Sequence, residues 1–141
     1  MSTYYWDTSA AINAVVSPEV RRRLSADHHT TRVPTFSEFF AVMTGRGIRI
    51  MDPDGIPVRF QMSPKDAAAW LRGFCEQVRT VELDADETLS ALALAEKQGV
   101  QGGRVYDYVH ALVADKAKAD AILTRNTDDF TGLSSRSVEW P

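Results

Sequence analysis

Four stretches of the chain set a carboxylate where a strand gives way to a helix or a helix begins. In "TYYWDTSAAINAVV" the aromatic run Tyr4 to Trp6 reads as a strand ending at Asp7, with Thr8 and Ser9 capping a helix over Ala10 to Val16. A carboxylate on that rim lies where open α/β sheets bind ligands, although on this stretch alone a plain helix cap is the leading reading. Glu38 falls in the first turn of "TFSEFFAVMTG", Asp107 in the apolar helix "RVYDYVHALVA", and Asn126, Asp128 and Asp129 follow the strand "AILT".

Each acid also has an ordinary explanation. Thr35-x-x-Glu38 fits a capping box, Asp107 an exposed helix acid, and Asp128 and Asp129 turn residues. The coincidence outweighs these separate readings. In a parallel sheet the strand ends at Asp7 and after Thr124 share one edge, and the helix starts carrying Glu38 and Asp107 face it. Three or four carboxylates gathered there cannot all stay ionised without a cation. Oxygen ligands with no Cys or His select Mg²⁺ or Mn²⁺. Such a centre polarises a phosphoryl oxygen and acidifies bound water, which is the chemistry of phosphodiester hydrolysis.

The elements that must position these acids follow from pattern. Ser17 and Pro18 open a second short helix, and "HTTRVPT" gives an extended segment around Thr31 to Val33 after a polar turn at His28-His29. "RGIRIMDPDGIPVRFQM" alternates on both sides of a Pro-Asp-Gly turn, which predicts a β-hairpin inserted between helices over 46–62. A helix from Pro64 carries Ala67, Leu71, Phe74 and Val78 on one face, and Cys75 within it reads as a buried thiol. Then come the strand "TVELD", helices over "ADETLSALALAEKQGV" and "GGRVYDYVHALVADKAKA", and strands at "DAILTRN" and "RSVEWP". The order β-α-α-β-α-hairpin-α-β-α-α-β-β predicts a single domain over 1–141, a three-layer α/β/α sandwich with a mainly parallel central sheet.

Composition narrows the function classes. The 141 residues are 44% hydrophobic and 25% charged, ordinary for a globular domain. No window reaches the roughly 18 apolar residues of a membrane helix, and no basic-then-apolar opening marks a secretory leader, so a cytoplasmic location is expected. One cysteine excludes an internal disulfide and a multi-cysteine zinc site. No nucleophile elbow, Walker loop or dinucleotide fingerprint occurs. An aspartyl phosphatase built on Asp7 would want a second acid where Ser9 stands, and a receiver domain would need paired acids after its first strand. The net charge of −3 does not advertise a nucleic-acid binder, unless the acidic excess is gathered in a metal site.

Taken together, "YWDTSAAI", "PTFSEFFAVMTGR", "GGRVYDYVHALVA" and "ADAILTRNTDDF" resemble, in order and spacing, the blocks of the PIN domain. The chain is most similar to the VapC-like toxin ribonucleases of bacterial toxin–antitoxin pairs. The resemblance implies a Mg²⁺- or Mn²⁺-dependent endoribonuclease, a cognate antitoxin and a homodimer. It implies Asp7, Glu38 and Asp107 as metal-site acids, with either Asn126 or Asp128 in the fourth place and Asp128 preferred because Asn126 is neutral. Thr8, Ser9 and Thr124 are then hydroxyls that orient the ligands, and Arg46, Arg49, Arg104 and Arg125 candidate phosphate contacts. The neutral Asn126 also admits a second expectation, an RNA-binding or regulatory module with an inactive site.

Overall fold

A computed structural model describes residues 1–141. The order is β1 (Thr3–Trp6), α1 (Thr8–Val16), α2 (Pro18–Arg22), β2 (His28–Thr31), α3 (Pro34–Thr44), β3 (Ile48–Met51), β4 (Pro57–Phe60), α4 (Pro64–Gln77), β5 (Arg79–Thr80), α5 (Ala85–Ala93), α6 (Arg104–Lys116), β6 (Ala121–Leu123) and β7 (Ser137–Glu139). Five strands form one parallel sheet in the order β5-β2-β1-β6-β7, and β3 and β4 pair only with each other.

The pleat explains the layering. Successive side chains of a strand point to opposite faces, and adjacent residues of β1 enter different cores. Trp6 packs with Ala10, Phe39, Met43 and Phe74 from α1, α3 and α4. Tyr5 packs with Tyr108, Val113 and Ala114 of α6. Leu123 and Ile122 of β6 divide in the same way. Helices therefore cover both faces, as a parallel sheet requires. The first core is rich in rings: Trp70 stacks on Phe39 at 4.8 Å and on Phe74 at 5.2 Å.

The hairpin forms as its alternation predicts, with Ile48 opposite Phe60 and Arg49 opposite Arg59. Its turn is held by the Asp52 carboxylate, which accepts from the Asp54 and Ile56 amides at 2.9 and 2.8 Å. At its root, Gly47 has φ +67, and a Cβ there would meet the Phe60 carbonyl oxygen at 2.1 Å, so only glycine fits.

Several local expectations are corrected. Asp7 itself, not Thr8 or Ser9, caps α1. The Thr35–Glu38 capping box does not form: α3 starts from Val33 with Pro34 in its first turn, and the Thr35 hydroxyl instead accepts from Thr31 at 3.0 Å. A capping box does form on α5, between Asp84 and Glu87. His28 and His29 are not a turn but open β2, which spans 28–31 rather than 31–33. His29 is buried there because its Nδ1 takes the Trp6 indole N–H at 3.0 Å. Cys75 is exposed, because the buried face of α4 runs through Ala67 and Phe74.

Candidate carboxylate site at the sheet edge

The parallel strands bring the ends of β1, β2 and β6 to one edge, and the Asp7 amide donates to the Leu123 carbonyl across it at 3.2 Å. Asp7 stands at the end of β1 and is only 5% exposed. Its Oδ1 accepts from the Ala10 amide at 2.9 Å and from the Ser9 hydroxyl at 2.7 Å. The cap and the site are therefore one arrangement: capping points the carboxylate along the edge and leaves its other oxygen uncommitted to the helix.

Two hydroxyls tie this carboxylate to the loop after β6. Ser9 Oγ accepts from the Arg125 amide at 2.9 Å and lies 3.2 Å from Thr124 Oγ1. Thr124 Oγ1 accepts from the Asn126 amide at 3.0 Å. Thr8 donates its hydroxyl to Glu38, which joins α1 to α3. All three hydroxyls expected to orient the acids thus touch an acid or the loop beside one.

The electrostatics divide the acids. Burial pushes the Asp7 carboxyl above its ordinary range, against the pull of Thr124, the Ala10 amide and Ser9. Burial and then the neighbouring Asp129 raise Asp107, with Asp7 adding to the effect and His110 opposing it. Glu38 goes the other way: burial would raise it, but His110 and the Thr8 hydroxyl outweigh burial and hold it low. Two raised carboxyls, one of them pushed up by the charge of the other and of Asp129, have the environment a dication would relieve. The all-oxygen donor set suits Mg²⁺ or Mn²⁺. As the side chains stand, however, no three His, Cys, Asp or Glu groups are close enough to chelate one ion.

In the one-turn helix Thr127–Phe130 the acid that acts on Asp107 is Asp129, next to the Asp128 expected from the sequence. Asp128 and Asn126 are exposed on the same turn. The turn is fastened by Arg104, which donates to the Asp129 and Thr131 carbonyls at 3.3 and 2.8 Å. Arg104 is thereby occupied as a brace. Arg125 is exposed and lies 5.2 Å over the Trp140 ring, while Arg46 and Arg49 belong to the hairpin.

The sequence reading passed over a buried polar chain that reaches the site from the core. The Tyr5 hydroxyl lies 2.6 Å from His110 Nδ1, and His110 Nε2 lies 3.6 Å from Glu38 Oε2. Burial holds the Tyr5 phenol protonated far into the alkaline range, so it is the donor to Nδ1, and Nε2 then carries the ring's proton toward Glu38. The available signal was spacing: His110 is three residues after Asp107, on the same helix face.

No known family's sequence pattern matches the chain, and no curated protein matches it. Among solved structures, it is similar to a chain of VapBC-1 from nontypeable Haemophilus influenzae. The TM-score is 0.64 at 14% identity, over 98% of this chain and 97% of that one. At that identity the likeness concerns the fold, and the fold is the PIN-like α/β/α sandwich, with an antiparallel hairpin added. No helix is long and apolar enough to cross a membrane.

Proposed function

We propose that the chain is a metal-dependent endoribonuclease, the toxin of a toxin–antitoxin pair. The observation that carries this reading is the pair Asp7 and Asp107, both raised and with the Asp7 charge acting on Asp107, at the carboxyl edge of a sheet whose fold resembles that of VapBC-1. Asp7, Asp107 and Glu38 would hold the ion, with the fourth acid drawn from the 126–129 turn. Within that turn the charge acting on Asp107 favours Asp129 over Asp128. A bound Mg²⁺ or Mn²⁺ supplies charge neutralisation at the phosphoryl group and a more acidic water. Ser9 and Thr124 keep the Asp7 carboxylate oriented, and Thr8 and His110 keep Glu38 ionised and facing the edge. By the same reading the partners are an antitoxin and a second copy of the chain. Cleavage of total RNA by wild-type protein with Mn²⁺, and none by Asp7→Asn of unchanged circular dichroism, is the expected result. Full activity in that variant would sink the assignment.

A second reading, an RNA-binding or regulatory module without catalysis, is favoured by the neutral Asn126 and by the absence of three converged ligands. RNA binding by wild-type protein with no cleavage in Mg²⁺ or Mn²⁺ would select it.

A further inference from the structure

The hairpin carries an electrostatic expense that its packing does not explain. Arg49 stands directly opposite Arg59, and Arg46 precedes them at the root. All three are exposed, and none belongs to the ion pairs of the molecule, which join Arg32 to Glu82, His110 to Glu38, Lys116 to Glu87 and Arg136 to Asp115. Like charges facing each other across an antiparallel pair are destabilising. The packing is done by the opposite face, where Ile48 and Phe60 lie against the first core.

The root is also fastened, which fixes the backbone that carries the three cations and holds the Arg59 guanidinium. The Arg59 guanidinium donates to the Arg46 carbonyl, the Gln61 amide donates to the Gly45 carbonyl, and the Met62 amide donates to Met43 at 2.8 Å. Beside it, Ile48 shares a hollow with Ser9, Ile12, Arg125, Asn126 and Trp140. Ser9 is the residue whose hydroxyl holds Asp7. The Trp140 ring is 58% exposed, with the Arg125 guanidinium over it. An exposed ring backed by a cation is a stacking platform for an unpaired base, and unpaired arginines are contacts for the phosphates on either side.

We propose that Arg46, Arg49 and Arg59 form a backbone-binding face for single-stranded RNA, continued through the Arg125–Trp140 hollow to the carboxylate edge. The choice of RNA rests on the ribonuclease reading. The ring and the hollow favour a nucleic acid over an acidic protein, which would need neither.

The test is binding of a short fluorescein-labelled oligouridylate, in EDTA so that no cleavage occurs, followed by anisotropy at several salt concentrations. Arg49→Gln/Arg59→Gln is compared with wild type, and Arg46→Gln/Arg49→Gln serves as a second variant that keeps the Arg59 clamp. Each lost phosphate contact lowers the salt slope by about 0.7 for a single strand, so between roughly 50 and 200 mM salt wild type loses about sevenfold more affinity than either double variant. Wild-type affinity and slope in both variants, with unchanged circular dichroism, would overturn the proposal. So would equal binding of polyglutamate by the wild-type protein, which would mark a face for acidic proteins. The two readings fail separately. If the variants lose RNA but wild type never cleaves it with Mn²⁺, the face stands and the ribonuclease falls. If wild type cleaves and the variants bind as it does, the reverse holds.

Discussion

The carboxyl edge of the sheet and the β3–β4 hairpin are two concentrations of like charge handled in opposite ways. At the edge, Asp7 is buried, held by an amide and a hydroxyl, and raised by its burial. On the hairpin, Arg49 and Arg59 face each other in water with no carboxylate partner. Burial makes the first repulsion large, and in the proposed enzyme a dication would relieve it. Exposure makes the second small, screened by salt and suited to a polyanion. A chain of net charge −3 can thus still carry a local cationic surface, where Arg49 and Arg59 stand opposite each other.

The contrast breaks most visibly at Asp7. In the proposed enzyme Asp7→Asn lowers RNA cleavage with Mn²⁺ on the order of 10³-fold, the scale of removing one charge-stabilising group from a preorganised centre. Next in size is Ser9→Ala, which removes a hydroxyl from the Asp7 carboxylate. Its Mn²⁺ affinity, measured by calorimetric titration, falls by about 10–100-fold, as for other residues that orient ligands. An unchanged affinity would mean that Ser9 does not orient the site.

The same Asp7→Asn substitution acts oppositely on stability. A carboxyl whose folded pKa is raised binds its proton more tightly when folded, so its favourable contribution is present at acid pH. That contribution is lost as pH rises through the folded value. Metal-free Asp7→Asn is therefore more stable than wild type near neutral pH, by on the order of 1 kcal/mol, the usual scale of relieving a functional site. The gap opens as pH rises from the acid range, and thermal melts across that range would show it. A gap independent of pH would place the gain elsewhere. The smallest effect is expected at the other pole, where Arg49→Gln relieves one cross-strand repulsion and raises stability by a few tenths of a kcal/mol at low salt, with the gain vanishing in high salt.

The order of elements was legible in the sequence because period and punctuation agreed along the chain, from the capped starts at Ser17 and Ser63 to the Pro-Asp-Gly turn. The locations of Asp7 and Asp107 were legible for a related reason: strand ends and helix starts of a parallel sheet share an edge. Glu38, by contrast, lies in the second turn of α3 and not in the first turn where it was expected. What escaped was set by distant partners. His29 is buried by Trp6, and His110 by Tyr5, 105 positions away. Thr35 answers Thr31 rather than its own helix start. Which acid of "TDD" faces Asp107 depends on the winding of a one-turn helix, where neighbouring side chains diverge widely.

The first strand has a consequence for how the molecule comes apart. Tyr5 and Trp6 are neighbours in sequence, fully buried, and rooted in opposite cores. Ile122 and Leu123 repeat the arrangement on the adjoining strand. Withdrawing either helical layer would strip one face of the strand that carries the other. The two cores therefore melt as a single cooperative unit, with the sheet edge that bears Asp7 among the last parts of the molecule to open.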